Sequence, residues 1–328
     1  MRTSRPLVAA SFGLVTAIAL AGCASTTEPA ANEEETESST ITVTDNHGEQ
    51  TVNTPPQRVV ATDNRTISLL DSWGVEIVAA PLDIFPEGLS YKEDGSEVIN
   101  LGNHGEPDLE AVVAGDPDLI VNGQRFAGYY ADFETLVPDA TIVELDPREG
   151  EPFDEELKRQ VTVLGEIFDK QDEAAALVAD FDASIERVIA AYDASETVMG
   201  AITSGGEINY AAPTTGRTLG PVYDILGLTP ALESDGSTDH QGDDISVEAV
   251  ASSNPDWLLV MDRDAAVSVN TDEAYTPAND LIGSSEALQT VTAVAEGHVV
   301  YMPAGTYLNE GIETYTQFFN DFADALES

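Results

Sequence analysis

Apolar residues along this chain fall into short runs that alternate with longer segments of helical spacing. The runs have the length of β-strands and occupy residues 58–61, 76–80, 119–121, 141–143, 198–202, 257–261 and 298–301. Between the first two runs, a helix is predicted from Asp63 or Asn64 to Gly74. Buried strands that alternate with helices are typical of mostly parallel sheets with helices on both faces. The pattern therefore predicts an α/β fold.

Three segments depart from this alternation. Residues 41–44 and 50–52 flank a polar turn at 45–49, which predicts a β-hairpin at the start of the globular part. Residues 171–194 carry apolar side chains spaced by three or four positions, and a helix of this length would reach about 36 Å. Such a helix is long enough to bridge two lobes. A closing helix is predicted over residues 311–326.

A repeated segment indicates that the two lobes share one architecture. Residues 110–121 read EAVVAGDPDLIV, and residues 248–259 read EAVASSNPDWLL. In each copy a glutamate precedes the proline by seven positions, and an arginine follows that proline by eight. A helix, a Pro-Asp turn and a buried strand form one supersecondary unit, so its recurrence on both sides of the long helix predicts two similar lobes.

The two arginines of the repeat, Arg125 and Arg263, come just past equivalent predicted strands. Ligands of open α/β sheets bind outside the carboxyl ends of the strands. We therefore expect both guanidinium groups to face one cleft from opposite lobes. Such a cleft suits an anionic ligand, because guanidinium stays charged and offers its hydrogen bonds in a planar fork.

The first residues predict export and a lipid anchor. Arg2 and Arg5 precede an apolar stretch over residues 7–20, as in secretion signals. The stretch ends in Leu-Ala-Gly-Cys, which resembles the lipobox of bacterial lipoproteins, and Cys23 would be the lipidated residue. A membrane-spanning helix is disfavoured because the apolar run is short and no stop-transfer pattern follows it.

These patterns divide the chain into five parts. We predict a signal peptide, a disordered tether, an N-terminal lobe, a bridging helix and a C-terminal lobe over residues 1–22, 23–40, 41–166, 167–194 and 195–328. The tether is rich in Ser, Thr, Ala and Glu, so it buries too little apolar surface to offset the entropy of ordering it. We expect a monomer whose lobes move by a modest rotation, because a helix resists wide hinge opening.

Charge narrows the range of partners. The chain has 60 Asp plus Glu against 13 Lys plus Arg, a formal net charge of -47. Nucleic acid and anionic membrane surfaces repel such a molecule, so no nucleic-acid partner is predicted. An acidic surface of this kind favours solubility in a salty environment. Because basic residues are scarce, each arginine calls for a specific explanation.

Other classes of function lack their motifs. The sequence contains no G-x-S-x-G, H-E-x-x-H or P-loop pattern, so no enzyme is predicted. A single cysteine excludes an internal disulfide and a thiolate metal cluster. A Zn(II) or Mn(II) binder needs several histidines around the ion, and the chain has four, none closely paired. Haem and cobalamin binders stay open as alternatives, although both favour a more apolar pocket.

Five short motifs occur in a characteristic order along the chain. They are TDNHG at residues 44–48, PQRVV at 56–60, GQR at 123–125, TGR at 215–217 and VMDRDAA at 260–266. In this order the chain resembles the ferric-siderophore branch of ABC-importer substrate-binding proteins, and especially the catecholate binders, from about residue 41 to the C-terminus. The resemblance implies two α/β lobes joined by one long helix, as in class III periplasmic binding proteins. It also implies capture of a ferric siderophore and its delivery to an ABC permease.

The resemblance further implies which residues form the ligand site. In the catecholate binders three arginines line the cleft, and the matching positions here are Arg125, Arg217 and Arg263. Tyr129 and Tyr210 are expected to contact the ligand as well. The ligand is then the Fe(III)-siderophore itself, with no permanently bound cofactor.

Two more residues, His240 and Tyr307, match positions that complete iron coordination in related binders. Imidazole and phenolate are competent Fe(III) donors and would replace water on a tetradentate siderophore. The alternative is an exposed loop histidine and a cleft tyrosine that only packs on the ligand. For His104, which precedes the first repeat helix, we expect a loop or capping role.

Overall fold

The computed structural model describes residues 39–267 and 275–328. The predicted signal peptide, the lipidation of Cys23 and most of the predicted tether lie outside the described residues. Ser39 and Thr40, the last two residues of that tether, instead belong to a strand.

The described part begins with a two-stranded antiparallel hairpin. Its strands are β1 (Ser39–Asp45) and β2 (Gly48–Thr54), and Asp45 pairs with Gly48 across a two-residue turn. Gly48 has a φ of 122°, a conformation that favours glycine. The predicted hairpin is therefore confirmed, with a tighter turn and longer strands than the polar residues indicated.

The N-terminal lobe is built on five strands. These are β3 (Val59–Ala61), β4 (Ile77–Ala80), β5 (Ile99–Asn100), β6 (Leu119–Asn122) and β7 (Thr141–Glu144). They form one parallel sheet in the order β5-β4-β3-β6-β7. Successive residues of a strand enter two different apolar clusters, as Val59 and Val60 do, because both faces of the sheet are buried. Between the strands lie α1 (Ile67–Ser72), α2 (Leu109–Gly115) and α3 (Tyr130–Leu136).

Helix α1 begins later than the sequence predicted. Asp63 and Asn64 stand outside the helix, and Thr66 occupies its N-cap position. The Asp63 carboxylate accepts a hydrogen bond from the Arg65 N–H, and the Asn64 amide donates to the Leu308 carbonyl oxygen at 2.8 Å. The segment after β3 is therefore held by side-chain contacts before the helix starts.

Two long helices follow the first sheet, α4 (Phe153–Phe168) and α5 (Gln171–Ala191). Helix α5 confirms the long helix predicted for this region, and it ends three residues before the predicted limit at residue 194. At 21 residues its length is about 31 Å.

The C-terminal lobe is built on four strands. These are β8 (Val198–Ser204), β9 (Glu207–Ala211), β10 (Trp257–Asp262) and β11 (Val299–Tyr301). They form a sheet in the order β11-β10-β8-β9, parallel except for β9, which returns across the Gly205-Gly206 turn. Its helices are α6 (Gly220–Leu226), α7 (Val247–Ser253), α8 (Arg263–Val267), α9 (Ala278–Ser284), α10 (Thr292–Glu296) and α11 (Ile312–Leu326). The predicted α/β fold with two mostly parallel sheets is confirmed.

The two copies of the repeat adopt the same local structure. Helix α2 is capped by the Asp108 side chain and ends at Asp116 in the left-handed conformation. Helix α7 is capped by Ser246 and ends at Asn254, also left-handed. In each copy the Pro-Asp dipeptide follows this left-handed residue and leads into a central strand, β6 or β10. The repeat is therefore a structural unit that occurs once in each lobe.

Helix α5 joins the lobes through packing with α4 and α11. Phe181 of α5 stacks on Phe319 of α11 with ring centroids 5.8 Å apart. Arg187 of α5 forms ion pairs with Asp324 and Glu327 near the end of α11. Residues of both sheets and of these helices belong to one continuous apolar cluster. The cluster therefore crosses from lobe to lobe, and the modest rotation of the lobes stays a prediction.

The segment before α11 crosses to the N-terminal lobe. The Asn309 side chain donates to the Ser68 hydroxyl at 3.0 Å, and the Leu308 carbonyl accepts from Asn64. The predicted C-terminal lobe, residues 195–328, thus sends one loop into its partner lobe. None of the described helices is both long and apolar enough to cross a membrane.

Candidate ligand-binding site

Arg125 is presented by a tight turn at the end of β6. Gly123 follows the strand, and a Cβ there would lie 3.0 Å from the Asp63 carboxyl carbon, so any larger residue would force the buried Asp63 side chain to shift. Gln124 then takes a left-handed φ of 50° and begins a 3₁₀ turn, Gln124–Tyr129. This turn carries Arg125 at the carboxyl edge of the N-terminal sheet, as the repeat predicted.

Arg263 and Arg217 approach from the C-terminal lobe. Arg263 directly follows β10 and begins α8. Arg217 lies in the loop between β9 and α6, where the Gly216 N–H donates to the Ala212 carbonyl at 2.8 Å. A Cβ on Gly216 would collide with the backbone of Ala212, so the loop needs glycine to close.

The three arginines converge on the ring of Tyr307. The Cζ atoms of Arg125, Arg217 and Arg263 lie 4.7, 5.0 and 4.8 Å from the ring centroid. Tyr307 belongs to the 3₁₀ turn Thr306–Leu308 and is only 4% exposed. Each guanidinium is attracted by the π-face of the ring, an interaction of about 0.5–2 kcal/mol. The ring therefore lies at the centre of a site to which both lobes contribute, and it helps to hold three like charges together.

The same charges change the acidity of Tyr307. Burial alone would raise the pKa of its phenol, but the positive charges of Arg125, Arg263 and Arg217 outweigh burial and lower the pKa below its ordinary value. A phenol with a lowered pKa ionises more readily, so a larger fraction of it is available as the anionic oxygen donor that a hard cation binds. The site thus combines cationic groups with a potential phenolate.

The arginines differ in their remaining contacts. Arg217 pairs with Glu310 through two hydrogen bonds, with Nη2–Oε2 at 2.9 Å and Nε–Oε1 at 3.3 Å. Arg263 lies 3.4 Å from a carboxylate oxygen of Asp264. Among the described residues no carboxylate pairs with Arg125, whose Nη2 donates to the Tyr307 carbonyl at 3.4 Å. The Nε atoms of Arg125 and Arg263 are buried without a hydrogen-bond partner in this part of the chain.

Glu310 and Arg65 were missed by the sequence analysis. Glu310 is 1% exposed and accepts hydrogen bonds from Thr218 and, at 3.1 Å, from the Gln124 side chain. Arg65 lies 3.8 Å from the same carboxylate. One glutamate among 60 acidic residues carries no signal of its own. Arg65, as one of only 13 basic residues, had the scarcity that could have marked it.

A buried carboxyl pair lies beneath the Arg125 turn. The Asp63 side chain is fully buried, and burial together with the nearby Asp146 charge raises its pKa from 3.8 to about 8. Its carboxylate accepts from the Gln160 amide at 2.9 Å. Asp146 accepts from the Gln124 N–H and, at 3.0 Å, from Arg65. Asp146 thereby holds the backbone N–H of Gln124, the residue before Arg125.

The predicted iron ligands lie next to each other. The His240 ring centroid is 6.4 Å from that of Tyr307, and 47% of the histidine side chain is exposed. His104 lies close enough to Arg125 that, after burial, the charge of this guanidinium lowers the pKa of the imidazole. The structure therefore brings Arg125, Arg217, Arg263, His240 and Tyr307 together. For His104 a loop or capping role was predicted, with a position facing the cleft as the alternative.

The two tyrosines that were predicted to contact the ligand have different surroundings. Tyr129 packs against Phe126 and donates its hydroxyl to the His104 carbonyl oxygen at 2.8 Å, so it borders the site. Tyr210 is buried in a cluster of the C-terminal lobe, and its hydroxyl donates to the Leu232 carbonyl oxygen at 2.6 Å. Its hydroxyl therefore serves the core of the lobe, and Tyr210 is not among the residues gathered around Tyr307.

Within residues 39–267 and 275–328, no three His, Cys, Asp or Glu side chains are grouped so that they could hold a metal ion. The candidate site in this part of the chain is thus rich in arginine and does not have the donor set of a bare-cation binder.

Comparisons with known proteins agree with this architecture. The family model of the periplasmic binding proteins matches residues 59–306. The petrobactin-binding protein of Bacillus subtilis is 29% identical over 96% of this chain and 97% of its own length. A TroA-like periplasmic binding protein from Xylanimonas cellulosilytica superposes with a TM-score of 0.72 at 30% identity, over 89% of this chain and 100% of the other. The catecholate-siderophore binding protein of Vibrio cholerae superposes with a TM-score of 0.74 at 26% identity, over 87% and 99%.

Proposed function

This chain belongs to the periplasmic binding protein family, and we propose that it captures a ferric siderophore of the catecholate type outside the cytoplasm and delivers it to an ABC importer. The convergence of Arg125, Arg217 and Arg263 on one buried ring is the observation that carries the proposal. Related proteins with this fold bind petrobactin or a catecholate siderophore. Proteins of this class bind and release their ligand without catalysing a reaction.

The chemistry of the ligand class fits the cluster. A ferric catecholate complex carries negative charge on a rigid body with aromatic edges. Guanidinium groups meet each of these features, because they are permanently charged, donate hydrogen bonds in a plane and stack on rings. A bare Zn(II) or Mn(II) ion would instead be repelled by three arginines.

Tyr307 and His240 are proposed to complete the coordination of iron when the siderophore leaves sites open. The lowered pKa of Tyr307 and the short distance between the two rings support this role. Fe(III) is then the cargo, and the phenolate and imidazole would replace water on it. Where the siderophore is hexadentate, Tyr307 packs against the ligand and holds the arginines in place.

Fluorescence quenching tests the proposal directly. Purified protein is titrated with ferric catecholates, ferric hydroxamates, haem and Zn(II), and we expect submicromolar quenching by the ferric catecholates. Arg263→Ala should weaken that binding about tenfold or more, because a hydrogen bond to a charged group contributes about 1.5–3 kcal/mol. Arg187→Ala on α5 is the matched control. Tight binding of haem or Zn(II) alone, or equal losses in both variants, would reject the proposal.

Membrane attachment through Cys23 is part of the proposal and rests on the Leu-Ala-Gly-Cys sequence. We expect the protein to fractionate with membranes and Cys23→Ala to remove it from that fraction. An unchanged distribution of the variant would contradict the lipid anchor. A monomeric state stays a prediction.

Docking to the permease is proposed to use Glu110 and Glu248. These glutamates are the second residues of the equivalent helices α2 and α7, and both are exposed. Their equivalence places one carboxylate on each lobe for arginines of the permease. We expect a Glu110→Lys/Glu248→Lys variant to keep its affinity for the ferric complex but to lose iron uptake in cells that carry the importer. Glu166→Lys, also exposed, should support uptake; equal uptake by both variants would refute the assignment.

A further inference from the structure

Glu310 lies where the two lobes meet and contacts polar groups of both. Its carboxylate accepts hydrogen bonds from Arg217 and from the Thr218 hydroxyl of the C-terminal lobe. From the N-terminal lobe it accepts a hydrogen bond from the side-chain amide of Gln124, the residue before Arg125. The Arg65 guanidinium of the same lobe lies 3.8 Å from the Glu310 carboxylate. Arg125, Arg217, Arg263 and the ring they surround form the Tyr307 cluster. No other described carboxylate both pairs with an arginine of this cluster and contacts the opposite lobe.

Glu310 is ionised in the folded protein. Burial alone would raise the pKa of its carboxyl, but Arg217 and then Arg65 outweigh burial and lower the pKa below the ordinary value. A buried, paired carboxylate is poorly screened by salt, so its charge acts on the neighbouring site at close range. It compensates Arg217 most strongly, because that guanidinium forms two hydrogen bonds with it.

We propose that Glu310 is a specificity-determining residue, an inference that rests on the proposed function. Its carboxylate limits the positive charge of the Tyr307 cluster and thereby determines whether the site prefers ferric complexes of low or of high negative charge. With Glu310 present, Arg217 acts mainly as a neutralised donor. The uncompensated attraction then comes largely from Arg125, because Asp264 lies 3.4 Å from Arg263. The affinity advantage of a highly anionic complex over a complex of low negative charge is then smaller than it would be without Glu310.

The consequence follows from Coulomb's law. Removing one negative charge near the site stabilises every anionic ligand in proportion to the charge of that ligand. A trianionic complex therefore gains more than a monoanionic one. At separations of about 10 Å and an effective dielectric constant of about 20, the difference corresponds to a change in relative affinity on the order of a hundredfold. A role of Glu310 in shape alone would change both affinities by the same factor.

The test compares two probes on wild type and Glu310→Gln. One probe is a hexadentate ferric tris-catecholate, which is trianionic; the other is the monoanionic ferric complex of a tetradentate bis-catecholate. We expect the ratio of the two dissociation constants to shift on the order of a hundredfold toward the trianion in Glu310→Gln. Glu310→Asp keeps the charge and should restore the wild-type ratio even if both affinities fall. Thr218→Val, which removes one uncharged hydrogen bond to Glu310, should leave the ratio within about threefold.

A second pair of variants covers the case in which Glu310→Gln does not fold. Arg217→Gln leaves Glu310 paired with Arg65, and Arg217→Gln/Glu310→Gln removes the ion pair as a whole. We expect Arg217→Gln to shift the ratio away from the trianion and the double variant to return it to the wild-type value. Equal ratios in Arg217→Gln and the double variant, or in wild type and Glu310→Gln, would overturn the inference. If wild type binds neither probe, it is the proposed function that fails.

Discussion

At the scale of single residues, Tyr307 shows how surroundings decide the chemistry of a side chain. Its phenol is buried, which disfavours ionisation, yet three guanidinium groups within 5.0 Å of its ring centroid reverse that preference. The ring in turn reduces the repulsion among the three cations, because its π-face attracts each of them. The tyrosine and the arginines therefore depend on one another.

The ring and the hydroxyl of Tyr307 are expected to have separable roles. Tyr307→Ala removes the surface on which the arginines pack, so it should weaken binding of a hexadentate ferric catecholate about tenfold more than Tyr307→Phe. With a tetradentate complex, wild type should shift the charge-transfer band of the iron, and Tyr307→Phe should abolish that shift. Absorption spectroscopy and fluorescence titration measure both effects. Equal losses for the Phe and Ala variants with the hexadentate complex would contradict the role of the ring.

Asp63 is expected to make stability depend on pH. Its pKa is raised from 3.8 to about 8 in the folded protein, so its stabilising contribution is complete below about pH 4 and is lost as pH rises through about 8. Asp63→Asn removes this titration. The free energy of unfolding, measured with urea, should therefore fall less between about pH 5 and about pH 8 in the variant than in wild type. Asp139→Asn, at an exposed loop position, is the control; parallel profiles for wild type and Asp63→Asn would contradict the assignment.

At the scale of elements, the repeat explains how two lobes acquire the same frame. In the first lobe the Asp118 carboxylate accepts hydrogen bonds from the N–H groups of Gln57 and Arg58 at 2.7 and 2.9 Å, just before β3. In the second lobe Asp256 accepts from the Thr197 N–H at 2.7 Å, just before β8. The Pro-Asp turn thus fixes the register of neighbouring parallel strands, and the arginine eight positions after each proline arrives at the corresponding edge.

Removing either aspartate should destabilise its lobe. Asp118→Ala and Asp256→Ala each leave backbone N–H groups without their carboxylate partner, so we expect a loss of about 1–3 kcal/mol in the free energy of unfolding. Chemical denaturation measures this loss. Asp139→Ala, at an exposed loop position, should change it by less than about 0.5 kcal/mol. A loss in only one of the two repeat variants would show that the two turns are not equivalent.

Most elements could be predicted from the sequence because their signals are local. The strands that begin at Val59, Leu119 and Trp257 coincide with apolar runs, and α5 with three- and four-residue spacing. The strands β5 and β9 were not predicted. The start of helix α1 was placed too early, because Asp63 and Asn64 form contacts with distant residues that no local pattern reveals.

At the scale of the whole molecule, charge opposes folding. A net charge of -47 repels itself, and few basic residues are present to offset it. Some of these basic residues already form ion pairs, such as Arg217 at the candidate site and Arg187 between α5 and α11. The remaining acidic surface must therefore rely on dissolved ions for screening.

Salt is expected to stabilise the protein. Raising the ionic strength from about 0.1 M to about 1 M shortens the Debye length from about 10 Å to about 3 Å, which weakens repulsion among exposed carboxylates. We expect the midpoint of thermal unfolding to rise by about 2 °C or more, corresponding to at least about 1 kcal/mol. Scanning calorimetry at several NaCl concentrations tests this. A midpoint that falls with salt would indicate that ion pairs outweigh repulsion.

The sequence by itself determined the alternation of strands and helices, the twofold repeat and the placement of Arg125 and Arg263 after equivalent strands, because periodicity and turn chemistry act over a few neighbouring residues. Only the tertiary structure decided that the loop before α11 crosses to the other lobe and carries Tyr307 and Glu310 into one site. Gln124 and Glu310, for example, meet across 186 positions of the chain. Contacts of that range depend on how complete lobes pack, so the charge balance around the arginines is a property of the fold.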